Sequence, residues 1–80
     1  MPTVLRLGPY RFFFYSNEGL EPAHIHVERD GAHCKFWLQP IALARSQGLP
    51  ARELRRLEQI IGDRQQTFLE AWNEHFHPRG

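Results

Sequence analysis

Hydrophobic and polar positions alternate in the first half of the chain and recur at helical spacing in the second half. Residues 3–7 alternate weakly, a Gly-Pro turn signal follows, and residues 10–15 are almost all aromatic, which together predict a β-hairpin. Ser, Asn, Gly and Pro then collect over residues 16–22 and predict a loop. Alternation resumes at Ala23, so the chain is expected to re-enter a strand there.

The pair Asp30-Gly31 stands between two β-like runs and is a strong signal of a two-residue type I′ hairpin turn. Counting outwards from this turn predicts strands over 23–29 and 32–38, with alternate side chains on opposite faces. The predicted apolar face carries Ile25, Val27, Cys34 and Phe36. The predicted polar face carries His24, His26, Glu28, His33, Lys35 and Trp37. A slip of one residue would turn the apolar set outwards, which favours this register.

The second half of the chain is typical of a helix from about residue 51 to residue 76. Apolar residues recur there at three, four and seven positions, the period of one helical face: Leu54, Leu57, Ile61, Phe68, Trp72 and Phe76. Such a helix would be about 39 Å long, which exceeds the width of a small domain unless it breaks near Gly62. Either the helix splits and folds back, or its end packs on another chain. For residues 41–46 a short strand and a helical turn both remain open.

These elements predict a single α+β domain over residues 1–80, in which a sheet of two hairpins packs against the long helix. A formal net charge of +1 excludes a protein that holds nucleic acid by excess positive charge alone. The single Cys34 excludes an internal disulfide and a cysteine-based zinc site. Neither a signal peptide nor an apolar run of about 18 residues is recognisable, so we expect a cytoplasmic protein without a membrane span.

His24 and His26 are two positions apart on a predicted strand, so both rings project from one face. Two imidazoles at this spacing are common zinc ligands, with Glu28 or Glu18 needed to complete the set. Lys35, however, is predicted to lie directly opposite His26, and its ammonium would repel a divalent cation. We therefore expect no metal and no cofactor.

The same face can also be interpreted as a small anion pocket. His24 and His26 would act as base and acid on a phosphodiester while Lys35 stabilises negative charge, a metal-independent ribonuclease-like chemistry. Nearby Arg11 and Arg29 would contact the nucleic acid, and Trp37 would provide a platform for a base.

A structural role competes with both site interpretations. In that case His24 bonds the loop over residues 16–22 and His26 pairs with Glu28 or Glu18, which simply closes the hairpin. For Trp37, a place in the core or in an interface is the more common role of an indole.

The chain resembles the small bacterial domain-of-unknown-function family 4160 over nearly its whole length. The resemblance rests on the segments Ser16-Asn17-Glu18, Glu21-Pro22-Ala23-His24-Ile25-His26-Val27, Lys35-Phe36-Trp37-Leu38, Leu43-Ala44 and Phe68-Leu69-Glu70-Ala71-Trp72-Asn73-Glu74. The family usually has Pro where this chain has Ala23, and an aromatic residue where it has His75. The resemblance implies half of a two-gene module, since some members are treated as toxins of toxin–antitoxin pairs. It makes His24, His26 and Lys35 the first candidates for the active face, with Glu18 orienting an imidazole.

Two function hypotheses follow. The first is a toxin-like component of a toxin–antitoxin type module that acts on RNA or the translation apparatus through the His-x-His/Lys face. The alternative is a non-catalytic antitoxin or regulator that binds a partner through Leu69, Trp72 and Phe76 near the end of the helix. The expected partners are a cognate small protein encoded next to it, RNA, or a second copy of the chain through the same helix.

Overall fold

The structure, a computed structural model, describes residues 3–77 and has an α+β fold. Its elements are β1 (Thr3–Leu7), β2 (Tyr10–Phe13), β3 (His24–Arg29), β4 (Ala32–Leu38), β5 (Ile41–Gln47), α1 (Ala51–Asp63) and α2 (Gln65–Phe76). The strands form one antiparallel sheet in the order β1-β2-β3-β4-β5, so each strand pairs with its neighbour along the chain. The expected pair of hairpins is thus part of a continuous five-stranded meander.

The turn at Asp30-Gly31 sets the register of the central strand pair as the sequence predicts. Both turn residues have positive φ, 48° for Asp30 and 83° for Gly31, which a type I′ turn requires. The six residue pairs of β3 and β4, from His24 opposite Trp37 to Arg29 opposite Ala32, are those counted from the turn. The sides on which the histidines and the apolar residues lie are therefore confirmed.

Two predicted elements differ from the structure. Residues 41–47 form a fifth strand at one edge of the sheet, which decides between the strand and the helical turn left open above. The helix is not one long element: it is interrupted at Arg64, whose φ of −116° and ψ of 17° are not helical. Gly62 itself stays inside α1, so the predicted position of the break is two residues early.

The helices pack their apolar sides on one face of the sheet. Leu57 and Ile61 of α1 and Phe68 and Trp72 of α2 are buried there, and the Phe12 and Phe68 rings stack at 5.6 Å. Cys34 belongs to this core, and burial raises the pKa of its thiol to about 12. The free cysteine is therefore a packed, unreactive side chain.

Glu53 holds the first turn of α1 against two strands of the sheet. Its carboxylate accepts hydrogen bonds from the Tyr10 hydroxyl on β2 and from the Arg29 guanidinium on β3, with 2.9 Å between Arg29 Nη2 and Glu53 Oε2. The hydrogen bonds from Arg29 and Tyr10 hold the pKa of Glu53 below its ordinary value. These bonds fix where the helix begins over the sheet.

We predict that the contribution of Glu53 to stability depends on pH in the acid range. Because its pKa is lowered on folding, the contribution is complete above the ordinary glutamate pKa of about 4.3 and is lost as the pH falls below it. In urea unfolding, wild type should be more stable than Glu53→Gln at pH 7, and the difference should shrink towards pH 3. A difference that grows on acidification would contradict this assignment.

Two glycines should respond to alanine with opposite signs. Gly31→Ala should destabilise the protein by about 1 kcal/mol, because an L side chain is disfavoured at positive φ. Gly62→Ala should stabilise it by up to about 1 kcal/mol, since Gly62 is helical and a Cβ there would meet no atom within 4 Å. Thermal and urea unfolding of both variants measure this, and effects of the same sign would refute the turn and helix placements.

Candidate functional site

The histidine pair lies at the beginning of β3, on the face of the sheet opposite α1 and α2. Strand alternation places His24 and His26 on this face and leaves Ile25 in the helix-covered core. Both histidines have 0% exposure, because the segment between β2 and β3 folds over them. The polar face is therefore an interior surface, which the alternation pattern alone does not reveal.

A single carboxylate joins this segment to both histidines. Oε1 of Glu18 lies 2.8 Å from Nε2 of His24 and 2.8 Å from Nε2 of His26. The Glu18 backbone N–H donates to the Tyr15 carbonyl at 3.3 Å, which closes a turn over residues 15–18. Glu18 thus anchors the loop to the sheet, and its own side chain remains 13% exposed.

The second ring nitrogens of the two histidines also have partners. Nδ1 of His24 lies 2.9 Å from the Pro22 carbonyl oxygen, and Nδ1 of His26 lies 3.0 Å from Nε2 of His33. Because His33 can either donate or accept, His26 is satisfied in either neutral tautomer at this position. His24, in contrast, has an oxygen acceptor at each nitrogen, and a neutral imidazole has only one N–H to donate.

Burial and hydrogen bonding act against each other on the charges of this cluster. Burial alone would raise the pKa of the Glu18 carboxyl, but the hydrogen bonds from His24 and His26 hold that pKa below its ordinary value. Burial lowers the pKa of His26, and the hydrogen bond to Glu18 only partly offsets this. Burial, with the nearby charge of Arg45, also lowers the pKa of His33. The arrangement favours an ionised Glu18 beside neutral His26 and His33.

Aromatic rings enclose the histidines on several sides. The Phe13 ring stacks on His26 at 5.4 Å, and the Tyr15 ring meets His26 edge-on at 4.7 Å. His24 lies between the rings of Trp37 at 5.7 Å and Trp72 at 4.7 Å. These contacts keep water from the imidazoles and make the cluster part of the packed interior.

Lys35 lies opposite His26 as predicted, but its ammonium is bound elsewhere. Nζ of Lys35 donates to Oε1 of Glu21 at 2.6 Å and lies 4.6 Å from the centre of the Trp37 ring. The residue is 6% exposed. The lysine therefore belongs to an ion pair with the covering loop.

The structure does not bring together the three residues predicted to contact nucleic acid. Arg11 lies on the histidine face and donates to Glu28 at 2.6 Å, and Trp37 lies on the same face under Lys35. Arg29 lies on the opposite face, where Glu53 holds it. Its parity with Ile25 and Val27 along β3 already separates Arg29 from the histidines.

The residues predicted to form a partner interface are largely used within the chain. Trp72 is 3% exposed and meets Phe14 edge-on at 5.2 Å. Phe76 packs on the Trp72 ring at 4.2 Å, and both Phe76 and Leu69 are partly buried against the core. The overhang expected for an unbroken helix is covered by the sheet of the same chain.

Sequence reasoning missed four residues that shape the site: Phe13, Tyr15, Glu21 and Pro22. Three of them lie in or next to the irregular segment between β2 and β3, where no periodicity indicates which side chains turn inwards. Glu21 and Pro22 do belong to the segment that carries the family resemblance, which was the one signal available for them.

The cluster has the composition of a metal site. One ligand atom from each of Glu18, His24 and His26 lies within 4.8 Å of the others. Two imidazoles and one carboxylate are a ligand set that zinc and ferrous iron both use.

Comparison with known proteins identifies one family. The model of the family described as "Domain of unknown function (DUF4160)" matches residues 10–73, most of the chain and all of the site described above. No curated protein and no solved structure matches the chain. Among the described residues, no helix is long and apolar enough to cross a membrane.

We predict that Glu18 stabilises the fold through the two imidazoles. Glu18→Ala should lower the free energy of unfolding by about 1 to 3 kcal/mol, because it removes the acceptor of two buried N–H groups. Glu18→Gln should cost less, since its amide oxygen can still accept. Urea unfolding measures both, with the exposed Glu58→Ala as the control. If Glu18→Ala and Glu58→Ala are equally stable, the proposed anchoring role is wrong.

Proposed function

The chain belongs to the DUF4160 family, and we propose that it is a toxin-like component of a bacterial toxin–antitoxin type module. We propose further that it acts in the cytoplasm by binding RNA rather than by histidine acid–base catalysis. The observation that carries the non-catalytic part is the burial of His24 and His26 at 0% exposure, with Glu18 occupying the space between their Nε2 atoms. A phosphodiester would have to displace Glu18 and the covering loop to lie between the imidazoles.

The surface that best supports RNA binding is a groove between the β1–β2 turn and the beginning of α1. It has a volume of about 390 Å³ and is lined by Pro9, Tyr10, Arg29, Arg52, Glu53 and Arg56. Arg52 and Arg56 are one helical turn apart, both are exposed, and neither takes part in the ion pairs found among residues 3–77.

Arg29 gives this groove a fixed cationic wall. Its bonds to Glu53 hold the guanidinium in one orientation and neutralise the only carboxylate of the groove. Two unpaired guanidiniums remain to contact phosphate, which Arg binds through parallel N–H donors. The formal net charge of +1 is in keeping with a short, local contact of this kind.

The alternative of an interaction module that binds through the C-terminal helix has less support. Its main predicted contact, Trp72, is 3% exposed and packs within the chain. Recognition through this side chain would require α2 to leave the sheet, at the cost of exposing the Phe68 and Trp72 contacts to water.

The groove is tested by a double variant and a matched control. Arg52→Ala/Arg56→Ala should relieve growth arrest after induction and weaken binding to a single-stranded RNA oligonucleotide. The slope of log affinity against log salt should fall by about 2, one for each lost phosphate contact. Arg55→Ala, on the same helix but lining a different groove with Ile41 and Gln59, should behave as wild type.

Failure of the proposal has distinct forms. No growth arrest by the wild-type chain would refute the toxin-like role. Arrest and RNA binding that Arg52→Ala/Arg56→Ala leaves unchanged would refute the groove. Loss of both effects in Arg55→Ala to the same degree would show a general charge effect and would likewise count against it.

A further inference from the structure

We propose that Glu18, His24 and His26 bind one divalent transition-metal ion, with the imidazoles coordinating through Nε2 and Glu18 through a carboxylate oxygen. The inference does not depend on the RNA groove, which lies on the other face of the sheet and uses other residues.

The ligand atoms converge on one point. Both Nε2 atoms lie 2.8 Å from the same Glu18 oxygen, and the three ligand atoms are within 4.8 Å of one another. Ligands of a tetrahedral ion at about 2.1 Å are roughly 3.4 Å apart, so the ion needs Glu18 to retreat by less than about 1 Å. Glu18 lies on a loop rather than on a strand, which makes this small shift accessible.

The partners of the other ring nitrogens are those found behind metal-bound histidines. A ligating imidazole normally donates its second N–H to a carbonyl, a carboxylate or another acceptor, which fixes its tautomer. Here Nδ1 of His24 faces the Pro22 carbonyl at 2.9 Å and Nδ1 of His26 faces Nε2 of His33 at 3.0 Å. With both protons on Nδ1, both Nε2 lone pairs point towards Glu18.

A metal ion resolves the hydrogen-bonding conflict at His24. This fully buried ring has an oxygen acceptor at each nitrogen, so a neutral, metal-free imidazole leaves one of the two oxygens without a donor. An ion at Nε2 gives that nitrogen and the Glu18 oxygen a common partner, while Nδ1–H still donates to Pro22. The pattern fits coordination without rearranging the strand.

The sequence-based argument against a metal does not apply to the folded chain. It rested on the Lys35 ammonium, which the structure pairs with Glu21 at 2.6 Å. The charge opposite His26 is thereby neutralised by a carboxylate. Three protein ligands leave one position of a tetrahedral ion for water or another ligand, on a site that reaches solvent only through the 13% exposed Glu18.

Cobalt substitution tests the site directly. Metal-free wild type titrated with Co²⁺ should develop visible d–d absorption that saturates at one equivalent, and Zn²⁺ should displace it and raise the melting temperature. Glu18→Gln keeps a hydrogen-bond acceptor but loses the anionic ligand, and should bind at least about tenfold more weakly. His77→Gln removes an exposed imidazole outside the cluster and should titrate as wild type.

Either of two results would overturn the proposal. One is the absence of saturable one-to-one binding of Co²⁺ and Zn²⁺ to folded wild type. The other is binding that Glu18→Gln leaves intact and His77→Gln abolishes, which would place the ion on surface histidines. Circular dichroism verifies the fold of each variant, and the wild-type titration decides the question even if Glu18→Gln fails to fold. Neither result bears on the RNA groove.

Discussion

The Glu18 carboxylate and the two imidazoles beneath it constitute the constraint on which this face of the molecule depends. Burying a polar ring is costly unless its nitrogens are bonded, and His24 and His26 together bury four. Glu18 provides an acceptor for two of them, and Pro22 and His33 meet the other two. The loop between β2 and β3 is consequently part of the core rather than a surface connection.

The same constraint separates the two faces of the sheet by role. One face is closed by α1 and α2 through apolar packing, whereas the other is closed by a loop through a few strong polar contacts. A face closed by polar contacts can accept an ion at its centre, because its ligands are already in place. Contact with a large partner is left to the outer surface, where the arginines of α1 lie unpaired.

Local signals predicted the parts of this structure that depend on neighbours in the chain. Asp30-Gly31 was sufficient for the register of β3 and β4, since only one pairing keeps Ile25 and Val27 on the apolar side. Alternation shows on which face His24 lies but not what covers that face, because Tyr15 and Glu18 belong to a segment without period. The helix break followed the same logic: Gly62 is the weaker helix former, yet packing of Ile61 and Phe68 on one sheet is met by interrupting the helix at Arg64.

The central claim, that a single carboxylate closes both buried histidines, is tested most directly by nitrogen-15 NMR of the imidazole groups in the metal-free protein. We expect side-chain N–H protons of His24 and His26 that exchange slowly with water and show cross-strand contacts to Glu18. The exposed ring of His77 should exchange fast in the same sample. If the His24 and His26 protons exchange as rapidly as those of His77, the loop does not cover the pair and the account is wrong.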